Sequence, residues 1–175
     1  MPVQRLKGLT GPGLVFVTTT VIDWLPVFAS PRIAELVARQ LAETAGQKGV
    51  SIVGYVVMPS HVHKLIGLHD IQSLSTFVQA FKSLTARRVR EIGLSEYRRE
   101  LFRSGRFQLW KRRFDDVIIT SEEQFRIKLN YVHENPVKAG LSDNAVDWPF
   151  SSARSWLLDE SGEVPIDKAF TWIPR

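Results

Sequence analysis

Two β-rich runs joined by only two residues constrain this chain more than any other feature. Val50 to Met58 reads as one strand, Pro59-Ser60 as a short turn, and His61 to Leu68 as the next strand. So short a connection makes the two strands antiparallel, because a parallel return needs a crossover of about a dozen residues. In an extended strand residues i and i+2 share a face and i+1 opposes them. His61 and His63 therefore stand side by side with Val62 turned into the core. Two neutral imidazoles on a rigid strand are half of a divalent-metal site. Taken alone the pair is weak evidence, since such His-x-His spacings also arise by chance.

The hairpin has regular neighbours. Gly13 to Ile22 is rich in β-branched residues and reads as a first strand, with a loop over Asp23 to Ala29 broken by Pro26. Ser30-Pro31 is a helix start, and Ile33, Leu36, Val37, Leu41 and Thr44-Ala45 recur at helical spacing until Gly46 or Gly49. A second helix fits Ser73 to Ile92, apolar through Leu74, Phe77, Val78, Phe81, Leu84, Thr85 and Val89, and stopped by Gly93. Phe107 to Trp110 is expected as a short fourth strand. Ser121-Glu122-Glu123 opens a third helix that runs through Phe125, Ile127, Leu129 and Val132 toward Asn135-Pro136. A short last helix is expected near Ser151, and the tail from Asp159 onward is expected to be loosely held. The order β-α-β-β-α-β followed by a further helix predicts an α+β, ferredoxin-like fold: a four-stranded antiparallel sheet with helices packed on it. Residues 1–175 read as a single domain, with a core over about 13–155 and a tail over 156–175.

Charge is distributed unevenly. Between Phe81 and Arg113 stand eleven cationic side chains: Lys82, Arg87, Arg88, Arg90, Arg98, Arg99, Arg103, Arg106, Lys111, Arg112 and Arg113. Only Glu91, Glu96 and Glu100 oppose them, so this segment carries +8 in a chain whose net charge is +5. Nine of the eleven are arginine, whose planar fork suits phosphate oxygens. Phe102, Phe107, Trp110 and Phe114 are interleaved, as stacking partners for exposed bases would be. The pattern points to nucleic acid as the partner. The chain has no cysteine, which excludes disulfides, a thiolate nucleophile and a cysteine zinc site. No run approaches the roughly 20 apolar residues of a membrane span, and the first residues lack the apolar core of a secretory signal. A cytoplasmic location is the expectation.

Of the three tyrosines, Tyr55 lies in an apolar strand and Tyr97 among arginines, whereas Tyr131 sits one helical turn before Asn135 on the same face. A phenol and an amide oxygen so placed could meet the histidine pair across a cleft, as a nucleophile and a third metal ligand. Packing on the sheet is the plainer alternative for Tyr131. His133 projects from another side of that helix, as a packing or DNA-contact residue, and His69 has no assigned role.

Four separated motifs carry a resemblance. Tyr55-Val56-Val57-Met58-Pro59-Ser60-His61-Val62-His63 resembles the metal motif of the IS200/IS605-like single-tyrosine transposases, members of the His-hydrophobic-His endonuclease superfamily. Leu109 to Phe114, Tyr131 to Leu141, and Asp147 to Ala153 are similar to the branch called REP-associated tyrosine transposases, in the right order. Two positions depart from the pattern: Ser60 replaces the usual asparagine and Lys64 a usual apolar residue. Both flank the histidines, so metal affinity is expected to differ from that of relatives.

The resemblance implies that His61, His63 and Asn135 hold Mg²⁺ or Mn²⁺ on a scissile phosphate. It implies that Tyr131 attacks single-stranded DNA beside hairpins such as repetitive extragenic palindromes. A 5′-phosphotyrosine link and a free 3′-hydroxyl would form, and strands could later be rejoined without ATP. Imidazole alone favours Zn²⁺, Ni²⁺ or Cu²⁺, so the metal identity comes from the resemblance and from metal availability. The basic helix and loop would bind hairpin phosphates, and the protein would be a monomer or a homodimer. The alternative is a module of the same fold that holds hairpins without cutting them. A phosphoesterase with paired His-x-Thr/Ser motifs is disfavoured, because the chain has no second such motif. Trp172 and Arg175 are candidates to fold back over the basic face.

Overall fold

The computed structural model describes residues 6, 8–94 and 96–172. Its main sheet has four strands: β1 (Gly13–Thr20), β2 (Ser51–Met58), β3 (His61–Leu68) and β6 (Asp115–Ile118). They lie in the order β2-β3-β1-β6, all antiparallel, which is the expected ferredoxin-like arrangement. A minor hairpin pairs β4 (Phe102–Arg103) with β5 (Arg106–Phe107).

The fourth strand is a correction. Phe107 belongs to the minor hairpin, and the sheet is completed by Asp115–Ile118 instead. Two aspartates at the start of β6 obscure its strand pattern, and pairing with β1 overrides that local composition. Trp110 still touches this edge, bridging Val21 at the end of β1. From Val21↔Trp110 to Thr18↔Asp115, β1 advances three residues and its neighbour five. The two extra residues bulge the edge around Arg112-Arg113-Phe114 and leave both arginines exposed.

Helices cover both faces. Helices α1 (Pro31–Lys48) and α2 (Leu74–Ile92) pack on the face built by Val15, Val17, Val57, Val62, Ile66 and Leu68. Helix α1 ends at Gly49; Gly46 lies inside it. A single turn, α3 (Arg98–Leu101), leads into the minor hairpin. Helix α4 (Glu122–Lys138) lies on the opposite face, over Leu14, Phe16, Val53, Val56 and Leu65. Its contacts Phe125, Leu129 and Val132 follow the i, i+4, i+7 spacing of one helix face. Gly54 permits the approach: a β-carbon there would stand 2.9 Å from a methyl of Leu129. Helix α4 continues through Asn135-Pro136 to Lys138, beyond its expected end. Pro136 removes one donor, but Ala139 N–H still bonds the Asn135 carbonyl at 3.0 Å.

The C-terminal segment is tied down, contrary to expectation. The short helix α5 (Ala153–Leu158) appears as expected, and residues 150–152 run along the free edge of β2, with Val57 N–H to the Phe150 carbonyl at 2.8 Å and Ser152 N–H to the Tyr55 carbonyl at 2.9 Å. Asp167 N–H bonds the Ile52 carbonyl at 2.8 Å. Phe170 covers Gly67, where an added β-carbon would fall 2.6 Å from its ring. Trp172 rests on Phe125 of α4, ring centroids 5.4 Å apart, and not on the basic segment; Arg175 lies outside the described residues. The polar composition of the first tail residues hides these few anchors.

Lys64 also occupies an unexpected place. Alternation sends it to the face opposite the histidines, where it is fully buried. Its Nζ donates to Thr19 Oγ1 at 3.0 Å and lies 4.6 Å from the centroid of Phe81. Burial, then the nearby Lys82 charge, pushes its pKa well below the usual lysine range. The unfolded chain holds that proton at neutral pH more tightly than the folded one, which costs stability below the unfolded pKa. Lys64→Met should therefore raise stability by about 1–3 kcal/mol at pH 7, with the gain shrinking toward pH 10. Guanidinium unfolding across that range measures it.

Candidate active site

The site begins with strand pairing. His63 stands directly opposite Thr18 of β1, and His61 opposite Thr20, so small hydroxylated side chains flank the imidazoles on the α4 face. Thr18 Oγ1 is 2.7 Å from His63 Nδ1, and Ser60 Oγ is 3.2 Å from His61 Nδ1. A proton on each Nδ1, donated to its hydroxyl, leaves each Nε2 with a free lone pair. That is the tautomer a metal-binding imidazole needs. Ser60, which departs from the family pattern, thus orients His61.

The rings form a connected group. His61 and His63 are 4.6 Å apart by centroid, His63 stacks on Phe16 at 5.3 Å, and Tyr131 meets His63 edge-on at 5.2 Å. Tyr131 Oη lies 3.5 Å from His63 Nε2, within reach but longer than a strong hydrogen bond. Burial holds both histidine pKa values low, His63 to about 3 with further lowering by His61, Lys64 and Lys128. Both rings are accordingly neutral near pH 7. Tyr131 itself is 37% exposed, open to a macromolecular substrate while His63 is nearly covered at 6%.

Helix α4 positions the phenol through contacts away from it. His133 is buried, and its Nε2 lies 2.9 Å from Ser152 Oγ, which also accepts from Tyr55 N–H at 3.0 Å. His133 is therefore a packing residue that fastens α4 to β2. Asn135 sits one turn beyond Tyr131 on the same helix face, partly buried. Among the described residues no group of three His, Cys, Asp or Glu side chains gathers. Two neutral imidazoles, hydroxyl-anchored at Nδ1, have the chemistry of divalent-cation donors. Lys128, one turn before Tyr131, lies outside the charged segment that the sequence marks; its Nζ lies 4.7 Å from the Phe16 centroid and 5.7 Å from that of Tyr131.

Residues 18–135 match the family model described as "Transposase IS200 like". The chain belongs to the IS200-like transposase family. Among its relatives, this IS200-like chain is 25% identical over 148 residues to a Haemophilus influenzae protein assigned as a REP-associated tyrosine transposase, covering 83% of this chain and 82% of that one. It is 26% identical over 118 residues to the REP-associated tyrosine transposase of Escherichia coli K12, covering 67% and 62%. The fold is similar to that of a REP-associated tyrosine transposase bound to a REP hairpin, with TM-score 0.65, 22% identity and 94% of each chain covered. A Deinococcus radiodurans structure assigned as a transposase gives TM-score 0.52 at 23% identity, over 74% of this chain and 94% of that one. No helix among the described residues is long and apolar enough to cross a membrane.

The candidate DNA-binding residues of this IS200-like protein divide in two. Trp110 is a correction: it is 5% exposed, packs on Phe28 and Phe81, and donates Nε1–H to the Lys82 carbonyl at 3.1 Å. Lys82 is also drawn inward, its Nζ donating to the carbonyls of Lys111 at 2.8 Å and Arg112 at 3.0 Å, where it holds the edge bulge. Arg87, Arg88 and Arg103 each meet a carboxylate, of Glu91, Glu43 and Asp23. Arg87, Arg90 and Arg106 line an open groove with Phe107, and Arg90 and Arg98 continue it past Phe102. Arg99, Arg112 and Arg113 are exposed, and Lys111 is partly so.

Proposed function

We propose that this chain is a metal-dependent, single-tyrosine endonuclease and strand transferase acting on single-stranded DNA beside hairpins of the REP type. The observation that carries the reading is Tyr131 Oη at 3.5 Å from Nε2 of a neutral, threonine-anchored His63. His61, His63 and Asn135 would hold Mg²⁺ or Mn²⁺. Such an ion, when bound, withdraws charge from a non-bridging phosphate oxygen and fixes the phosphate for in-line attack.

The protein's own residues do the rest. Tyr131 Oη forms the new bond to phosphorus as the P–O3′ bond breaks, giving a 5′-phosphotyrosine and a free 3′-hydroxyl. The phenol proton leaves, and a proton is taken up on the departing 3′-oxygen. An ordinary phenol, with a pKa of about 10, is a weak nucleophile at pH 7 and needs assistance. Lys128 places a cation 5.7 Å from the Tyr131 ring centroid, where it would attract the incoming phosphate. A later 3′-hydroxyl attacks the phosphotyrosine and rejoins the strand, since phosphodiester energy is retained. The groove of Arg87, Arg90, Arg98 and Arg106 would follow hairpin phosphates, and the resemblance to a hairpin-bound structure supports this use.

The non-cleaving alternative keeps the same fold and basic face and draws on the unusual Ser60 and Lys64; Ser60 Oγ stays 3.2 Å from His61 Nδ1, while Lys64 lies on the other face of the sheet. The test incubates the protein, Mn²⁺ and a labelled single-stranded hairpin oligonucleotide, then runs a denaturing gel. A metal-dependent covalent band supports the reading; binding without any band across several hairpins contradicts it. Thr18→Val should keep the fold and lower the apparent Mn²⁺ affinity in this assay about 10- to 100-fold, because His63 loses its orienting hydroxyl. A Mn²⁺ titration of adduct formation measures it.

A further inference from the structure

The turn after β1 holds a tryptophan where packing gives no reason for one. Asp23 and Trp24 both adopt left-handed backbone conformations, with φ of 52° and 57°. Two consecutive side-chain-bearing residues in that region are costly, and glycine is the residue that fits without strain. Such strain persists where the surroundings enforce it, and it concentrates at functional sites. Here Asp23 is clamped by the guanidinium of Arg103 from the β4–β5 hairpin, and Trp24 N–H bonds the Val21 carbonyl at 3.1 Å.

The strain gains no burial. Trp24 is 55% exposed, although its neighbours Ile22 and Val27 are buried. Its ring meets His61 edge-on with centroids 5.6 Å apart, and Lys111 Nζ lies 4.3 Å from the Trp24 centroid. A large aromatic side chain is thus held open to solvent between one candidate metal ligand and the start of the exposed Lys111-Arg112-Arg113 bulge. One ring face carries the Lys111 ammonium. With more than half the residue open, the other can take a planar group.

We propose that Trp24 is the stacking platform for one unpaired nucleobase of the DNA strand next to the scissile phosphate, with Lys111 neutralising the adjoining phosphate. This rests on the single-stranded DNA reading above. Stacking on tryptophan tolerates any base and is strengthened by a cation on the far ring face. The turn therefore fixes the distance between a gripped nucleotide and His61, and so which phosphate reaches Tyr131. Trp24 lies in a segment that composition marks only as a loop, away from the arginine-rich run that contains Phe107 and Trp110.

The experiment uses the full chain carrying Tyr131→Phe, so that binding is read without covalent capture. Fluorescence anisotropy follows a labelled hairpin with a single-stranded flank, in a series with one abasic position moved along the flank. In the parent, one abasic position should weaken binding about 5- to 100-fold. Trp24→Ala and Trp24→Gly should bind the intact flank that much more weakly and show no further loss at that position, whereas Trp24→Phe keeps most of the effect. Trp24→Gly should melt within about 4 °C of the parent, because the turn accepts glycine. Equal sensitivity to the abasic position with and without Trp24 would overturn the proposal while leaving the endonuclease reading intact. Failure of the parent to bind any flanked hairpin would overturn both.

Discussion

Tyr131→Phe should eliminate the covalent protein–DNA adduct and lower strand cleavage by about 10³-fold or more, as loss of a nucleophile does in comparable enzymes. The substitution removes one oxygen whose nearest partner is His63 Nε2 at 3.5 Å, on a residue 37% exposed. Stability should accordingly change by no more than about 0.5 kcal/mol, and hairpin binding should persist. The other tyrosines serve as controls. Tyr55 is buried at 5% exposure, and burial pushes its phenol far above the usual range, so it is neither reachable nor ionisable. Desolvation, and then the charges of Glu96 and Glu100, raise the Tyr97 pKa as well. Tyr55→Phe and Tyr97→Phe should both retain the adduct. An adduct of wild-type yield in Tyr131→Phe would remove Tyr131 from the chemistry.

His63→Gln should lower metal-dependent cleavage by about 10²-fold or more, with hairpin binding retained. Its imidazole joins four contacts: Thr18 at Nδ1, Phe16 on one face, the His61 ring edge-on, and the phenol near Nε2. Glutamine keeps most of the volume, so the loss reports on the lone pair and not on a cavity. The same geometry sets a pH expectation. An ordinary imidazole is half protonated near pH 6.5 and then cannot bind a cation. Burial holds His63 to about 3, so the acid limb of cleavage should not begin at 6.5 through this residue. The sign for stability is opposite to that of a histidine gaining an acidic partner. The unfolded state takes up the proton first, so His63 costs stability as pH falls from about 6.5 toward 3. Cleavage measured from pH 5 to 8, beside a thermal melt at each pH, separates the two effects.

The parts of this molecule that the sequence makes legible are those governed by neighbours in the chain. Pro59-Ser60 dictates the β2–β3 hairpin, and alternation then dictates that His61 and His63 share a face. Helical periodicity locates α1 and α2 within a residue or two at most boundaries. What stays hidden is governed by distant partners. Asp115-Asp116 does not look like a strand, yet pairing with Val17 and Thr18 makes it one. Lys64 reads as a neighbour of the histidines, but the same alternation that pairs them sends it through the sheet to Phe81. Trp110 reads as a stacking residue among arginines and is a core residue, while Trp24, in an unremarkable loop, is the aromatic ring beside His61. The tail looks polar, and a few contacts such as Phe170 on Gly67 hold it down.

The most direct measurement is to locate the covalent link. Wild-type protein is reacted with Mn²⁺ and a hairpin oligonucleotide, the DNA is trimmed by nuclease, and the protein is digested with trypsin for mass spectrometry. Cleavage after Lys128 and Lys138 isolates residues 129–138, which contain one tyrosine. The account predicts that this peptide carries the nucleotide, linked through a 5′-phosphate to Tyr131, and that chelating the metal abolishes it. A nucleotide on Tyr55 or Tyr97, or cleaved DNA with no modified peptide, would contradict the account.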